Sequence, residues 1–434
     1  MRILSCCALL TLTCLAYPAS ASEARCAGES CESAIRGLFA FFDRKLAGLR
    51  ANGRACADCH MPTDQFQLSP ENAERRYRLL QVRKRRDPRA DDPLFRPIDA
   101  DDFRIHGDAA ADFSNLRRNG LVRITFPLPP NIKLVDPLTN QPTNDAEVDV
   151  WRAVPTVNDV ALTGPDGLNP WPRGPGESGG YQLDARFITL QEQALAALTT
   201  HAQAGRAVPR QMLDDLAAFQ RNLFTNDRVK ALADAVRAGK TVLPDPDPKL
   251  TALEKRGKAV FERACAQCHG GPGQTLTQPP IPFRFGDIST QCPRPVDTEA
   301  PARFNFAPCP DRLARNAQSF EISLPDGTRI RRTSSDPGRA LLTGFVGGPP
   351  PADDWNKLDV PGLRGIRHTA PYFHNNSAAT LEDVVEHYIE FFNFVRATAP
   401  PNVVAPVAST DGVNWDRQPK REEVKALLAY LRRL

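Results

Sequence analysis

Residues 56–60 read CADCH, and residues 265–269 repeat the pattern as CAQCH. At this spacing two thiols form thioethers to the two vinyl groups of one haem, and the adjacent imidazole reaches the iron as proximal ligand. Zinc sites and thioredoxin-like redox pairs also use Cys-x-x-Cys, but two copies that both carry the histidine favour covalent haem. The sequence therefore predicts two c-type haems, held by Cys56, Cys59 and His60 and by Cys265, Cys268 and His269.

The chain begins with the features of a secretory signal peptide. Arg2 precedes an apolar run that ends near Tyr17, and small residues follow up to an Ala-Ser-Ala-type cleavage site. The predicted signal peptide spans 1–22. Its apolar run is too short to cross a bilayer, and no later segment offers the roughly 20 apolar residues that a spanning helix needs. We expect an exported, periplasmic protein without a membrane span.

Charge and cysteine usage narrow the function classes further. The net charge is +4 with both signs interspersed, so no nucleic-acid partner is predicted, and the basic run 83–86 is interpreted as a solvated helix face. Four cysteines outside the haem motifs form two close pairs, Cys26 with Cys31 and Cys292 with Cys309. In an oxidising compartment, two local disulfides are the simplest interpretation.

The chain repeats itself after each haem motif. VPTVNDVALTGP at 154–165 matches VPGLRGIRHTAP at 360–371 without a gap, and each copy then leads to Thr-Leu and a predicted helix, at Thr189 and at Thr380. The predicted fold is mainly α, with two cytochrome c-like haem domains related by duplication and long irregular loops. The domains are 23–245 and 246–434, split near the proline-rich segment LPDPDPKL.

The helix after Thr380 carries an apolar stripe at helical spacing, formed by Leu381, Val384, Val385, Tyr388, Ile389 and Phe392. Tyr388 is thus predicted to face inward, whereas His387 falls among charged residues and is predicted to be a surface residue. In the first copy, the position of Tyr388 is taken by Ala197. One iron would then meet a phenol and the other a methyl group.

Methionine, a common axial ligand, is scarce. Only Met1, Met61 and Met212 exist, and none follows the second haem motif. An axial methionine from the second domain is therefore excluded, which favours Tyr388 as the sixth ligand there. The rival interpretation is a phenol packed near an iron with some other sixth ligand. A phenolate would stabilise oxidised iron and lower the haem potential.

Both haem motifs, the stretch LRGIRHTAPYFHNNSAATLEDVVEHY and the stretch LDARFITLQEQAL resemble the bacterial dihaem cytochrome c peroxidase and MauG family. The resemblance implies two mostly helical cytochrome c domains, a peroxidatic first haem and an electron-transferring second haem. It also implies that Tyr388 holds the place of the second haem's sixth ligand. Hydrogen peroxide is the implied substrate, with a small redox protein or an organic molecule as electron donor.

Other family positions match only in part. Thr369 and Pro371 match residues whose carbonyls help bind calcium, but the third calcium position, an asparagine in the family, is Ala153. The family's inter-haem tryptophan is replaced by Leu183, so electron transfer would use Tyr181, Trp171 or the haem edges directly. The family's distal glutamine matches Gln193, and its catalytic glutamate aligns with Gln203.

Cleavage of a bound peroxide needs a group that takes a proton from the near oxygen and returns it to the far one. Gln203 cannot do this, whereas His201 lies one helical turn beyond Ala197 on the same face, and imidazoles as a class are suited to proton transfer near neutral pH. The hypothesis is that His201 is the distal acid–base, with Gln193 and Gln203 orienting the oxygen ligand. A purely structural helix-end histidine is the alternative.

Two other functions stay open. A non-enzymatic dihaem electron carrier would have both irons six-coordinate. A dihaem dioxygenase would use O2 rather than peroxide to act on an organic substrate.

Overall fold

The computed structural model describes residues 25–26, 28–100, 113–164, 180–266, 269–274, 291–295, 306–308, 316–347, 354–356, 358–398 and 419–434. The predicted signal peptide, Trp171 and Cys268 lie outside these ranges. So does Cys309, and with it the predicted Cys292–Cys309 disulfide. The Cys26–Cys31 disulfide is confirmed.

Helices dominate the described structure, as predicted. They are α1 (Cys31–Phe42), α2 (Pro70–Arg86), α3 (Pro97–Ala100), α4 (Ser114–Asn119), α5 (Val160–Thr163), α6 (Leu190–Thr200), α7 (Arg210–Gln220), α8 (Asp227–Arg237), α9 (Ala252–Ala264), α10 (Ala340–Thr343), α11 (Leu381–Thr398) and α12 (Arg421–Leu431). Short 3-10 turns occupy Leu46–Gly48, Cys56–Asp58, Pro62–Asp64, Pro93–Phe95 and Ile366–His368. No helix of the described residues is long and apolar enough to cross a membrane.

Small antiparallel sheets accompany the helices, which the sequence analysis did not predict. The strands are β1 (Arg25–Cys26), β2 (Glu29–Ser30), β3 (Leu121–Pro127), β4 (Ile132–Val135), β5 (Glu147–Ala153), β6 (Gln291–Pro295), β7 (Phe306–Pro308), β8 (Gln318–Ser323) and β9 (Arg329–Ser334). Strands β1 and β2, β3 and β5, and β6 and β7 form pairs, and β4, β8 and β9 form a three-stranded sheet in that order.

One sheet and one core join the two halves of the chain. In the three-stranded sheet, Ile132 of β4 pairs with Ile322 of β8. The apolar cluster beneath it includes Val150 and Phe126 from the first half and Phe320 and Trp355 from the second. Segments on both sides of the predicted domain boundary therefore share a core.

Two helix crossings have the same construction. α1 packs on α7 and α9 packs on α12, each through a glycine. A Cβ at Gly37 would lie 1.8 Å from the backbone oxygen of Asp215, and a Cβ at Gly257 would lie 1.9 Å from that of Ala426. Only glycine permits so close an approach of two helix backbones.

The loops that lead into α6 and α11 also match. Tyr181 pairs with Phe187 and Tyr372 pairs with Ala378 in isolated β-bridges. Thr189 caps α6, and Thr380 caps α11 by accepting a hydrogen bond from the Asp383 amide at 3.1 Å. The repeat detected in the sequence is thus a repeat of local structure.

Two backbone hydrogen bonds, one for each loop, tie these loops to the other half of the chain, along a boundary that we call the seam. The Ala153 amide donates to the carbonyl of His374 at 2.5 Å, and the Asp359 amide donates to that of Leu183 at 2.7 Å. The two bonds occupy matching positions of the repeat, so each half holds the other in the same way. The buried Arg152 guanidinium adds an ion pair to Asp336 at 2.6 Å.

Replacement of either crossing glycine by alanine should lower the stability of the fold. We expect Gly37→Ala and Gly257→Ala each to reduce the free energy of unfolding by at least about 1–3 kcal/mol, because the added methyl meets backbone. Gly205→Ala is the matched control, since its Cβ would lie 3.4 Å from the nearest atom. Thermal unfolding followed by helical circular dichroism measures the effect. Equal melting temperatures for all three variants would contradict the crossings described above.

Candidate functional site

The first Cys-x-x-Cys-His motif forms a tight 3-10 turn that presents His60. The His60 amide donates to the Cys56 carbonyl at 2.9 Å. The imidazole Nδ1 lies 3.0 Å from the carbonyl oxygen of Phe66 and 3.1 Å from that of Pro155. Because carbonyl oxygens only accept, Nδ1 carries the proton, and Nε2 keeps its lone pair as a neutral imidazole does when it binds a metal.

His269 has the same surroundings. Its Nδ1 lies 3.3 Å from the carbonyl oxygen of Gln274 and 3.0 Å from that of Pro361. Pro155 and Pro361 are the matching prolines of the sequence repeat. Burial lowers the pKa of His269 to about 4 and also lowers the pKa of His60, against the raising effect of the backbone bonds. Both imidazoles are therefore neutral near pH 7, and the lone pair of each Nε2 is available to bind a metal.

The two cysteines of the first motif do not have the character of a redox pair. Cys56 and Cys59 are free thiols. Burial raises the pKa of Cys56 to about 12 and that of Cys59 to about 11. Reactive Cys-x-x-Cys pairs instead have a lowered thiol pKa. In the described part of the chain, no group of three or more His, Cys, Asp or Glu side chains is placed to hold a metal ion.

The residues present fit a covalently bound haem. Two unoxidised thiols three positions apart are available for thioethers, and the neighbouring histidine offers Nε2 with its tautomer fixed from behind. At the second motif His269 has its tautomer fixed in the same way, while Cys268 lies outside the described residues.

A histidine–carboxylate pair lies at the end of α6. The Nδ1 of His201 lies 2.8 Å from Oδ2 of Asp99, and the imidazole is about one-third exposed. The buried Arg54 guanidinium donates to Asp99 Oδ1 at 2.5 Å and to the His201 carbonyl at 3.2 Å. Asp99 thus accepts from both neighbours, which orients the His201 ring and leaves Nε2 facing away from the pair.

Charge keeps Asp99 ionised. Burial by itself raises the pKa of the Asp99 carboxyl, but the hydrogen bond from His201 and the charge of Arg54 outweigh it and lower that pKa. A carboxylate in this place favours the tautomer in which His201 Nδ1 carries the proton, so Nε2 is a proton acceptor.

Neither Asp99 nor Arg54 was a candidate from sequence. Asp99 lies 102 residues before His201 in a segment without a motif. The repeat indicated where His201 lies on the helix after Thr189. It carries no information about Asp99, which comes from α3. The run Pro97–Ala100 forms a single helical turn whose Asp99 and Ala100 are buried.

The other candidate residues of α6 take different positions. Gln193 and Ala197 are half-buried on this helix, one turn apart. Gln203 lies beyond the helix end, exposed, with a left-handed φ of 52°. Its Oε1 accepts a hydrogen bond from Asn52 at 3.1 Å, and Asn52 also donates to the His201 carbonyl. Gln203 is thus tied to the backbone at His201 rather than to its imidazole.

On α11, Tyr388 is half-buried and His387 is buried, with 3% of its surface exposed. The prediction that His387 is a surface residue is wrong. Phe373, from the loop before the helix, packs edge-on against the His387 ring at 5.2 Å and lies 6.4 Å from the Tyr388 ring. Phe373 has a left-handed φ of 71° and covers the His387 side chain, whereas the neighbouring Glu386 stays exposed.

The predicted calcium position offers few ligands. Calcium takes six to eight oxygens, whereas Thr369 and Pro371 supply carbonyls and Ala153 has no side-chain oxygen. The neighbouring Ala370 carbonyl accepts a hydrogen bond from Gln67 at 3.0 Å. These residues do not make a calcium site by themselves, and we assign the ion no role.

No family model matches the chain, and no curated protein matches it. Among solved structures, the chain is similar to a MauG-like protein associated with microbial copper homeostasis. The identity is 18% over 93% of this chain and 88% of that one, with a TM-score of 0.44. It is also similar to the diheme peroxidase BthA from Burkholderia thailandensis E264, at 18% identity over 92% of this chain and 85% of that one, with a TM-score of 0.40.

Asp99→Asn tests the ionised pair at the end of α6. The pKa of Asp99 is lower in the folded chain than its usual 3.8, so its charge stabilises the fold above about pH 4 and that contribution is lost as pH falls through the folded pKa. We expect the variant to be less stable at pH 7, because Arg54 loses its counter-charge. Its stability should also fall less steeply below pH 4. Urea unfolding at several pH values measures both, and an unchanged acid slope would contradict this assignment.

Proposed function

We propose that the chain is an exported dihaem c-type peroxidase or peroxide-driven oxidase, with one haem at each Cys-x-x-Cys-His motif. The observation that carries the proposal is the matched pair His60 and His269, each neutral, half-buried and held at Nδ1 by a loop carbonyl and the carbonyl of a repeat proline. Such a histidine is built to donate from Nε2. The Cys26–Cys31 disulfide supports export, because such bonds persist in oxidising compartments.

In this proposal, residues 23–245 form the first haem domain and 246–434 the second. Cys56, Cys59 and His60 hold the first haem, and Cys265, Cys268 and His269 hold the second. The repeated glycine crossings and loop bridges support a duplicated architecture. The shared sheet means that the two domains would not be separable bodies.

Bound haem iron would supply the redox centre for reduction of the peroxide. The chain's own contribution at the first site is proton handling. His201 Nε2 takes a proton from the near oxygen of the peroxide and returns it to the far oxygen, which leaves as water. Asp99 holds the Nδ1 proton in place throughout, so that His201 keeps one orientation and one tautomer.

The helix above the first site leaves room for the substrate. Ala197 presents only a methyl group where α11 presents the Tyr388 phenol, so α6 offers no ligating side chain at that position. Gln193, one turn earlier and half-buried, is the residue proposed to orient an oxygen ligand. Gln203 acts less directly, since its side chain bonds to Asn52.

Tyr388 is the proposed sixth ligand at the second site. A phenolate is a hard anionic donor that stabilises the oxidised metal, which suits a site that stores oxidising equivalents. Electrons would reach the first site from a small redox protein or an organic donor. Tyr181, buried beside Gly164, lies on the loop that the Asp359 amide holds across the seam, and it is the proposed aromatic on the route between the sites.

A titration of the ferric holoprotein tests the proposal. We expect a high-spin component that shifts on addition of cyanide or hydrogen peroxide, because the first site has an open position. Tyr388→Phe should change the spectrum of the second site and shorten the lifetime of the peroxide-oxidised state. Tyr430→Phe removes a buried phenol of the same half outside the proposed site and is the matched control.

A wholly low-spin spectrum that does not change on addition of cyanide would contradict the enzyme proposal and favour a non-enzymatic electron carrier. Product formed from an organic compound with O2 and no peroxide would indicate the dioxygenase alternative.

His201→Gln tests the acid–base role. Glutamine keeps a donor toward Asp99 but cannot shuttle a proton, so we expect peroxide turnover to fall by about 10²–10⁴-fold with little change in cyanide affinity. His368→Gln, an exposed histidine of the second half, is the control and should retain full turnover. Full turnover in His201→Gln would contradict the acid–base role and leave His201 as a structural histidine at the helix end.

A further inference from the structure

Helix α1 is apolar on two faces. Its inner face, with Ala34, Gly37 and Phe41, is buried in the α1–α7 crossing. Its opposite side carries four large apolar residues at helical spacing, which we call the outer stripe. Their exposed fractions are 54% for Ile35, 39% for Leu38, 69% for Phe39 and 44% for Phe42. Contiguous exposed apolar patches on a helix mark interaction surfaces rather than ordinary solvated faces.

The repeat supplies an internal comparison, because α9 makes the same crossing without such a stripe. Gly257 and Phe261 of α9 correspond to Gly37 and Phe41 of α1, and both phenylalanines are buried. At the positions of the outer stripe, α9 carries Lys255, Lys258, Ala259 and Glu262. The fold therefore places no demand for apolar residues on this face. The outer stripe is a property of α1 alone.

The charges that flank the outer stripe are symmetric in sequence position about its centre. Ile35 and Phe42 lie equally far from the midpoint between Leu38 and Phe39, and so do Glu32 and Lys45. The Glu32 side chain is 80% exposed and forms an ion pair with Arg36 of the same helix at 2.8 Å. Lys45, in the turn after α1, is also exposed.

We propose that the outer stripe binds a second copy of this chain, with the two α1 helices antiparallel about a two-fold axis. In that arrangement Leu38 packs against Phe39 of the partner and Ile35 against Phe42 of the partner. Glu32 of each copy then faces Lys45 of the other at both ends. A parallel arrangement would place like charges opposite each other, which opposes association.

The contact is small, and this sets the expected affinity. One stripe of four side chains is less than the roughly 800 Å² per partner of a standard stable interface. We therefore expect a dimer that forms at micromolar concentration and dissociates on dilution. The inference does not depend on the proposed catalytic function, although Phe41, on the inner face of the same helix, lies 6.3 Å from the His60 ring.

Sedimentation of the haem-loaded chain from about 1 to about 100 μM tests the proposal. We expect the wild type to pass from monomer to dimer over this range, and a Leu38→Glu/Phe39→Glu variant to stay monomeric. Leu138→Glu, which changes a leucine that is 93% exposed in a different turn, is the control and should dimerise as the wild type does. Circular dichroism checks that all three are folded.

A charge exchange tests the antiparallel geometry. Glu32→Lys and Lys45→Glu should each weaken the dimer by about three- to tenfold, and the double variant should regain wild-type affinity. A wild type that is monomeric throughout would overturn the proposal and leave the stripe to a different partner, such as a small redox protein. A dimer that survives Leu38→Glu/Phe39→Glu, or a double variant that regains nothing, would overturn it equally.

Discussion

The hydrogen bond from a histidine Nδ1 to a proline carbonyl is the constraint around which each half of the molecule is arranged. His60 reaches Pro155 and His269 reaches Pro361 across more than 90 residues of chain. A proline carbonyl suits this purpose, because proline has no amide hydrogen to draw the segment into a strand or helix. Everything between the histidine and its proline must therefore fold back on itself. The glycine crossings and the capped helices close that loop from the outside.

Two backbone hydrogen bonds at the seam connect these histidine–proline contacts with the other half of the molecule. Two residues before each proline, Ala153 or Asp359 donates its amide to the loop that leads into α11 or α6 of the other half. Each motif histidine is thus only a few bonds from the backbone that positions α6 or α11. The buried Arg152, with carboxylates of Asp184 and Asp336 at 2.6 Å, holds the same region by charge. Removing one partner would strand an uncompensated charge in the interior.

The sequence was informative where the chemistry is local or repeated. A gap-free match predicted that Pro155 and Pro361 are equivalent, and the described structure gives them the same contact. The repeated Thr-Leu pair predicted a helix start at Thr189, where the structure has a capping box at the start of α6. Asp99 could not be found, because its contact with His201 spans 102 residues and follows no period. The strands were not predicted, although burial in β5 (Glu147–Ala153) alternates with the two-residue period of a strand. His387 was misassigned because helical periodicity says nothing about a residue of another segment, here Phe373, that packs on it.

The three-stranded sheet has a consequence for synthesis. Strand β4 belongs to the first half, yet Asn131 beside it bonds to Ser323, 192 residues later. The N-terminal half therefore waits, with an unpaired edge, until much of the C-terminal half has emerged. Until then the first half lacks the partner strand and the apolar side chains that complete its core. The shared core forms only when both halves are present, so the molecule matures as one unit rather than one half at a time.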